Sequence, residues 1–256
     1  NVDIKIAQSI LNPVHEICIF DLGPLPVLDI KGFGNINLKI TGNKIDPHLR
    51  GGVNFMNIDV GYSGLGMKLN NVNGVLSFED KDTHFYTKSG LLNNKPIKID
   101  GRCTLIGDFD YDIKSDNQDL AAILSELNKS SMLEDIQTLL LPIKSASGKT
   151  DFSLKLKGKV KSIEDFKFGK TVFMSGNIKL LGNDIKFDNL KFPIKNMTGE
   201  IGFDNSDFNL NLNSAFNHSK IYIKGTVKNN IANINVDSPL LNIEEVLQCL
   251  PLNEIK

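Results

Sequence analysis

Tryptophan is absent from the 256 residues and tyrosine occurs only four times. A transmembrane β-barrel needs aromatic girdles where its strands cross the membrane interfaces, so this shortage argues against a barrel. No uninterrupted apolar run is long enough to span a bilayer as a helix. A signal or anchor, if the native protein has one, is expected outside these residues. The net charge is −1 with a pI near 6.5, and Lys and Asp alternate instead of forming blocks. That leaves no basic field for nucleic acid, and no such partner is expected. Cys18, Cys103 and Cys249 are odd in number and lack paired spacing, so neither a disulfide framework nor a zinc site is expected. His15, His48, His84 and His218 are scattered, none four residues from another and none beside a Cys pair, which speaks against metal or triad roles.

What the chain does have is self-similarity. Residues 69–87, LNNVNGVLSFEDKDTHFYT, and 194–212, IKNMTGEIGFDNSDFNLNL, follow one pattern at an offset of 125 (194 − 69). The likeness continues downstream, where PIKIDG ending at Gly101 answers KIYIKG ending at Gly225, an offset of 124. In residues 108–127 and 231–250 the apolar frame is kept while polar residues drift. Upstream, GNINLKITG (34–42) matches TDFSLKLKG (150–158). The chain reads as a tandem of two units of roughly 120 residues. The first covers 32–143 and the second 144–256, while 1–31 reads as the tail of a preceding unit plus a connector, because IKIAQSIL (4–11) resembles INVDSPLL (234–241). The expectation is a segment of a longer repetitive protein, with neighbouring repeats of the same chain as partners.

Strict apolar–polar alternation predicts half-buried strands at 34–41, 53–62, 67–70, 75–78, 84–87, 96–105, 108–114, 150–158, 176–181, 184–188, 199–204, 207–213, 220–227 and 230–237. Turns such as GN, DN and NN, together with Gly51-Gly52, are read as hairpin closures. Helical spacing appears in 118–128, in 131–141 and from Asn242 to Leu250; the latter two open on capping-box pairs, Ser131 with Glu134 and Asn242 with Glu245, and end at Pro142 and Pro251. KSASGKT (144–150) is the most linker-like stretch. The fold expected is mainly β: tandem antiparallel β-meander repeats forming an extended, twisted one-faced sheet or groove, with short amphipathic helices closing each repeat.

Reactive constellations are weak. Asp108, Asp110, Asp112, Asp116 and Asp119 carry calcium-loop spacing, but Ile113 stands where that loop needs Gly, so a solvated strand face is the better reading. GFGNIN (32–37) lacks the third glycine of a dinucleotide fingerprint, and in GYSGLG (61–66) Leu65 replaces the second glycine of a nucleophile elbow. Sequons at Asn128, Asn196 and Asn217 are what so Asn-rich a sequence produces by chance. No catalytic centre, metal or cofactor is expected, and the chain is read as not an enzyme.

The remaining candidate is the apolar stripe itself. In the first unit it comprises Ile36, Leu38, Ile40, Phe55, Val60, Leu76, Phe78, Phe85, Ile97 and Ile99. In the second it comprises Phe152, Leu154, Leu156, Ile178, Leu180, Ile185, Phe187, Ile201, Phe203, Phe208, Leu210, Ile221, Ile223, Ile234 and Val236. A two-layer sandwich would bury these residues and leave a structural or assembly module that docks partner proteins. Against that stands a shortage of covering helices, and an uncovered apolar face of this length is a binding surface.

The motifs NMTGEIGF (196–203), SKIYIKGTV (219–227) and SPLLNIEEVL (238–247), with degraded copies at 71–78, 96–103 and 115–124, resemble the repeats of the AsmA-like and TamB-like envelope proteins. The resemblance implies a bridge-like lipid transfer protein whose β-groove holds phospholipid or another acyl lipid on the apolar residues above and passes it between membranes. It also implies a periplasmic place in a bacterial cell envelope, with an inner-membrane anchor outside these residues.

Overall fold

A computed structural model of the chain describes residues 2–3, 28–42, 47–62, 67–104, 107–129, 142–160, 165, 167–188, 190–216, 219–229 and 231–244. The strands are β1 (Val2–Asp3), β2 (Leu28–Gly42), β3 (Pro47–Tyr62), β4 (Met67–Asp80), β5 (Asp82–Leu92), β6 (Lys95–Thr104), β7 (Asp108–Asp119), β8 (Ile143–Ser147), β9 (Lys149–Lys159), β10 (Val172–Phe187), β11 (Ile194–Asp204), β12 (Asp207–Phe216), β13 (Ser219–Lys228) and β14 (Ile231–Asp237). One helix, α1 (Leu120–Lys129), follows β7. The fold is mainly β, an open antiparallel meander of 14 strands in the order β1 to β7 and β9 to β14, with β8 paired to β10 beside this path. The one-faced meander expected from the alternation is therefore what forms.

The chain makes two compact units. Unit 1 holds β1 to β6, β7 as far as Ser115, and Leu154–Met174; unit 2 holds Asp116–Lys129 with α1, β8, the start of β9, and Ser175 onward through β14. Within each unit the strands contact their hydrogen-bonded neighbours in the sheet, and α1 lies against β8. Among the described residues neither unit carries a second sheet facing the first.

Several strands are longer than alternation alone predicts. The expected pairs 67–70 with 75–78, and 176–181 with 184–188, are single strands, β4 and β10. Each is interrupted by one residue in the left-handed backbone region: Asn71 (φ 50°) in β4 and Gly182 (φ 87°) in β10. Such a residue at the first position of a β-bulge adds one residue to a strand, bends it and lets pairing resume beyond the break. The device repeats with the sequence. Asn57 and Gly182 are 125 apart, as are Asn71 and Asn196, while Gly32 and Gly148 are 116 apart, and all six have positive φ. Carboxylates hold this line. Asn71 N–H donates to Asp59 Oδ1 at 3.1 Å, Asn196 N–H to Asp184 Oδ1 at 2.8 Å and Asn117 N–H to Asp151 Oδ1 at 2.8 Å. The Asn71 N–H holds the Asp59 carboxyl below the usual carboxylate range.

Three expectations are corrected here. KSASGKT is not a linker: it contributes most of β8, the Gly148 bulge and the first residues of β9, so that β8 and β9 together are the second repeat's counterpart of β2. Gly51-Gly52 closes no hairpin, because both residues lie inside β3, where Gly51 faces Leu38 and Phe78. A side chain at Gly51 would collide with the backbone of Asn37, which is why glycine sits there. The helix expected from 118 begins at Leu120, because Asp119 acts as its N-cap: Oδ1 accepts from Ala121 N–H at 3.0 Å and Ala122 N–H at 3.2 Å. The helix expected at 131–141 lies outside the described residues, and of the one beginning near Asn242 only the first turn residues, Ile243 and Glu244, are described as helical.

Lys149 Nζ reaches Asp119 Oδ2 at 3.1 Å, and this bond, with the Ala122 N–H, keeps the Asp119 carboxyl below its ordinary value. Asp119→Ala is expected to cost about 1 kcal/mol at neutral pH. Because the folded pKa is depressed, the carboxylate's contribution is present above the unfolded value and fades as pH falls through the folded one. Thermal melts of the two forms should thus separate at pH 7 and converge as the pH falls through the depressed folded-state pKa of Asp119.

Candidate apolar binding face

Register places the candidate residues in cross-strand rows. In unit 1, Ile36, Val53, Leu76, Phe85, Gly101 and Tyr111 stand directly opposite one another from β2 to β7. The next row runs Leu38, Gly51, Phe78, Thr83, Cys103 and Phe109. Because directly opposed side chains share a face, these rows form one apolar surface. Phe55 lies between Gly34 and Gly74, Val60 pairs with Leu69, and Ile99 pairs with Ile113. Aromatic rings cover the glycines: a side chain on Gly101 would run into the Tyr111 ring. Burial pushes the Tyr111 phenol above its ordinary pKa, helped by neighbouring Cys103.

Unit 2 repeats the arrangement. Ile178, Ile201, Leu210, Gly225 and Ile234 make one row, and Leu180, Gly199, Leu212, Ile223 and Val236 the next. Phe203 faces Phe208, Ile221 faces Ser214, Ile185 faces Ile194 and Ala146, and Phe187 faces Ile143. Phe152 is half-buried beside Asp151, whose carboxylate holds the Asn117 bulge. Leu154 and Leu156 belong to unit 1, where Lys155 between them points the other way, to Asp110 at 3.1 Å.

Burial divides the candidates. Ile97 (4% exposed), Leu180 (3%) and Ile185 (8%) are dry core. Around Leu180 and Ile185 the residues Met197, Leu212, Ile194, Ile143 and Leu120 close a small apolar cluster; in unit 1, Ile58 and Val72 do the same with Phe55, Val60, Leu69 and Phe85. Both clusters sit along the bulge line, where the bend folds neighbouring side chains together. Ile36, Ile40, Ile234 and Val236 are exposed and the other candidates half-buried. Away from the unit 2 cluster, which Leu120 of α1 also contacts, most of the candidate residues stay at least partly exposed.

The opposite face is polar. Asp108 and Asp110 pair with Lys159 and Lys155, both at 3.1 Å, and Asp112 lies on the same side. Of the five aspartates in the calcium-loop spacing, Asp108, Asp110 and Asp112 thus stand on a charged strand face, whereas Asp119 caps α1. His84 Nε2 bonds Asp100 at 2.6 Å and His48 Nδ1 bonds Asp80 at 3.1 Å on partly exposed surface. His15 and His218 lie outside the described residues, as do Cys18 and Cys249. A shallow depression of about 360 Å³ is lined by Lys39, Thr41, His48, Arg50 and Asp80, and another of about 450 Å³ by Ser145, Ala146, Ser147, Asp184, Lys186 and Pro193. Lys186 is occupied with the carbonyl oxygens of Leu190 and Lys191.

The bulge carboxylates Asp59, Asp151 and Asp184 were not foreseen as positioning residues. A signal that could have found two of them is that Asp59 and Asp184 are 125 apart, the same offset as the asparagines they hold. No family model, curated protein or solved structure matches the chain.

Proposed function

We propose that this chain is a non-enzymatic lipid-holding segment, whose apolar sheet face carries acyl chains while headgroups stay in water. The observation that supports this reading is the set of unbroken cross-strand apolar rows, half-wet over most of their length, backed by a charged face. Each methylene moved from water onto such a surface gains about 0.8 kcal/mol, so an acyl tail has ample reason to lie along it. Adjacent rows offer nearly equivalent contacts, so a tail could shift from row to row without leaving a deep well. The likeness to AsmA-like and TamB-like repeats extends the proposal to transfer of phospholipid between the membranes of a bacterial envelope. Native mass spectrometry of the purified chain is expected to detect bound acyl lipid that organic extraction removes. Preparations from lipid-rich cells that carry none would overturn the reading.

The second reading, a structural module docking proteins through a closed sandwich, is disfavoured in its sandwich form because the described strands all belong to one sheet.

A further inference from the structure

On its polar face the second repeat carries amides where the first does not. Asn209, Asn211 and Asn213 of β12 stand where β5, 125 residues earlier, has His84, Tyr86 and Lys88. Across the strands of unit 2, Asn177, Gly202, Asn209 and Thr226 stand directly opposite one another, and Asn213 lies between Thr198 and Tyr222. The three β12 asparagines are exposed, and no hydrogen bond to the described protein engages their side chains. Asparagines that serve the fold are different: Asn73 Nδ2 donates to Asn57 Oδ1 at 3.2 Å and to Ser89 Oγ at 3.1 Å on the bulge line. Asparagine is depleted in strands, so three at alternate positions of one strand, bonded to nothing, do not stabilise it.

Gly202 is an independent observation at the same place. Its φ lies outside the left-handed region, and a side chain there would meet nothing nearer than Asn209 Cβ at 3.9 Å. Gly199 and Gly225, by contrast, would each drive a side chain into a neighbouring carbonyl. The first repeat carries Ser77 at the equivalent position, opposite His84, so the frame accepts a side chain. Glycine inside a strand costs stability, and where the fold does not demand it, it marks a close approach of a ligand to the backbone.

We propose that this face of unit 2 binds a neutral polysaccharide laid along β12, with one sugar ring seated over Gly202 between the amides of Asn177 and Asn209. Each amide offers two N–H donors and a carbonyl acceptor, which match hydroxyl groups that both donate and accept. The amides recur roughly every 6.8 Å along the strand, two residues apart, so a chain of rings meets them in succession. Tyr222, 42% exposed beside Asn213, presents an aromatic face to the C–H side of a sugar. The row through Gly202 holds no ionisable group, and in the next row Lys179 stands opposite Glu200, which leaves one surplus cation, Lys224. An anionic polymer finds little to hold it there. Each bond to the ligand replaces one to water and contributes little net, so a polymer spanning several amides is held where a single sugar is not. The site lies on the face opposite the apolar rows and does not rest on the lipid reading.

Co-sedimentation of the whole chain with insoluble cellulose and with insoluble chitin tests the proposal, the two polymers separating plain from acetamido sugars. Binding to at least one is expected, unchanged between about 0.05 and 0.5 M salt. Gly202→Val should weaken it by about tenfold or more by filling the seat. The same variant should melt no lower than the unmodified chain, because valine suits a strand and nothing stands in its way. Asn209→Ala and Asn211→Ala, at exposed positions, should keep the fold and each weaken binding; they carry the test if Gly202→Val does not fold. Absence of binding to both polymers, binding that these substitutions leave intact, or binding that salt removes would each overturn the proposal. If the face instead covers a second copy of the chain, sedimentation velocity will show a dimer that Gly202→Val disperses, neither polymer will bind, and the proposal fails. None of these readouts measures lipid, so their failure leaves the lipid reading untouched.

Discussion

Leu154→Glu and Ile223→Glu are expected to keep the fold and lose bound lipid. Ile223 lies on an apolar row at the margin of the unit 2 cluster, Leu154 lies beside Lys155, which points to Asp110 on the polar face, and both are half-buried. A glutamate there can turn its carboxylate toward water in the free protein, so the expected cost is about 1 kcal/mol, a fall in melting temperature of roughly 2–4 °C. With acyl chains laid over the row the same carboxylate is cut off from water, where an unpaired charge costs far more. The variants should therefore melt almost normally while the lipid peaks in native mass spectra disappear. If either variant instead unfolds, and the unmodified chain carries no lipid, these residues fill a closed core and the structural module is the better account.

Leu180→Ala should behave in the opposite way, with a loss of about 2–5 kcal/mol in the urea-unfolding free energy. Leu180 is 3% exposed and packs with Ile185, Met197 and Leu212 at the unit 2 bulges, so truncation leaves a cavity. Val236→Ala, on a residue 63% exposed, should change stability by less than about 0.5 kcal/mol. Such a contrast would divide one apolar face into a dry strip that holds the sheet and a wet remainder free to bind. Equal effects would mean that the face is packed uniformly, leaving no reserve of open surface.

Where alternation was regular, as in 207–213 and 220–227, the predicted strands sit inside β12 and β13 with their apolar residues on the shared face. It failed wherever a left-handed residue intervened. Asn71 and Gly182 shift the alternation by one, so a reading based on period two ends the strand there, although hydrogen bonding carries it onward. The same blindness made KSASGKT a linker: Ser, Lys and Gly suit a flexible loop as well as a bulged strand, and only pairing with Asp184–Phe187 distinguishes them. Gly51 was misread for the opposite reason. Glycine usually marks a turn, but here it makes room for the backbone of Asn37 on the next strand.

The sequence alone determined the class of the fold, its two-fold repetition and the separation of apolar from polar faces, because all three follow from local spacing and from identity at a fixed offset. Only the tertiary structure decided which apolar residues are dry. Ile97, Leu180 and Ile185 belong to the same pattern as Ile36, Ile234 and Val236, yet the first three are buried and the others exposed. Burial is set by how many neighbours surround a side chain, and that depends on cross-strand register, on bends at the bulges and on distance from a sheet edge, none of which alternation records.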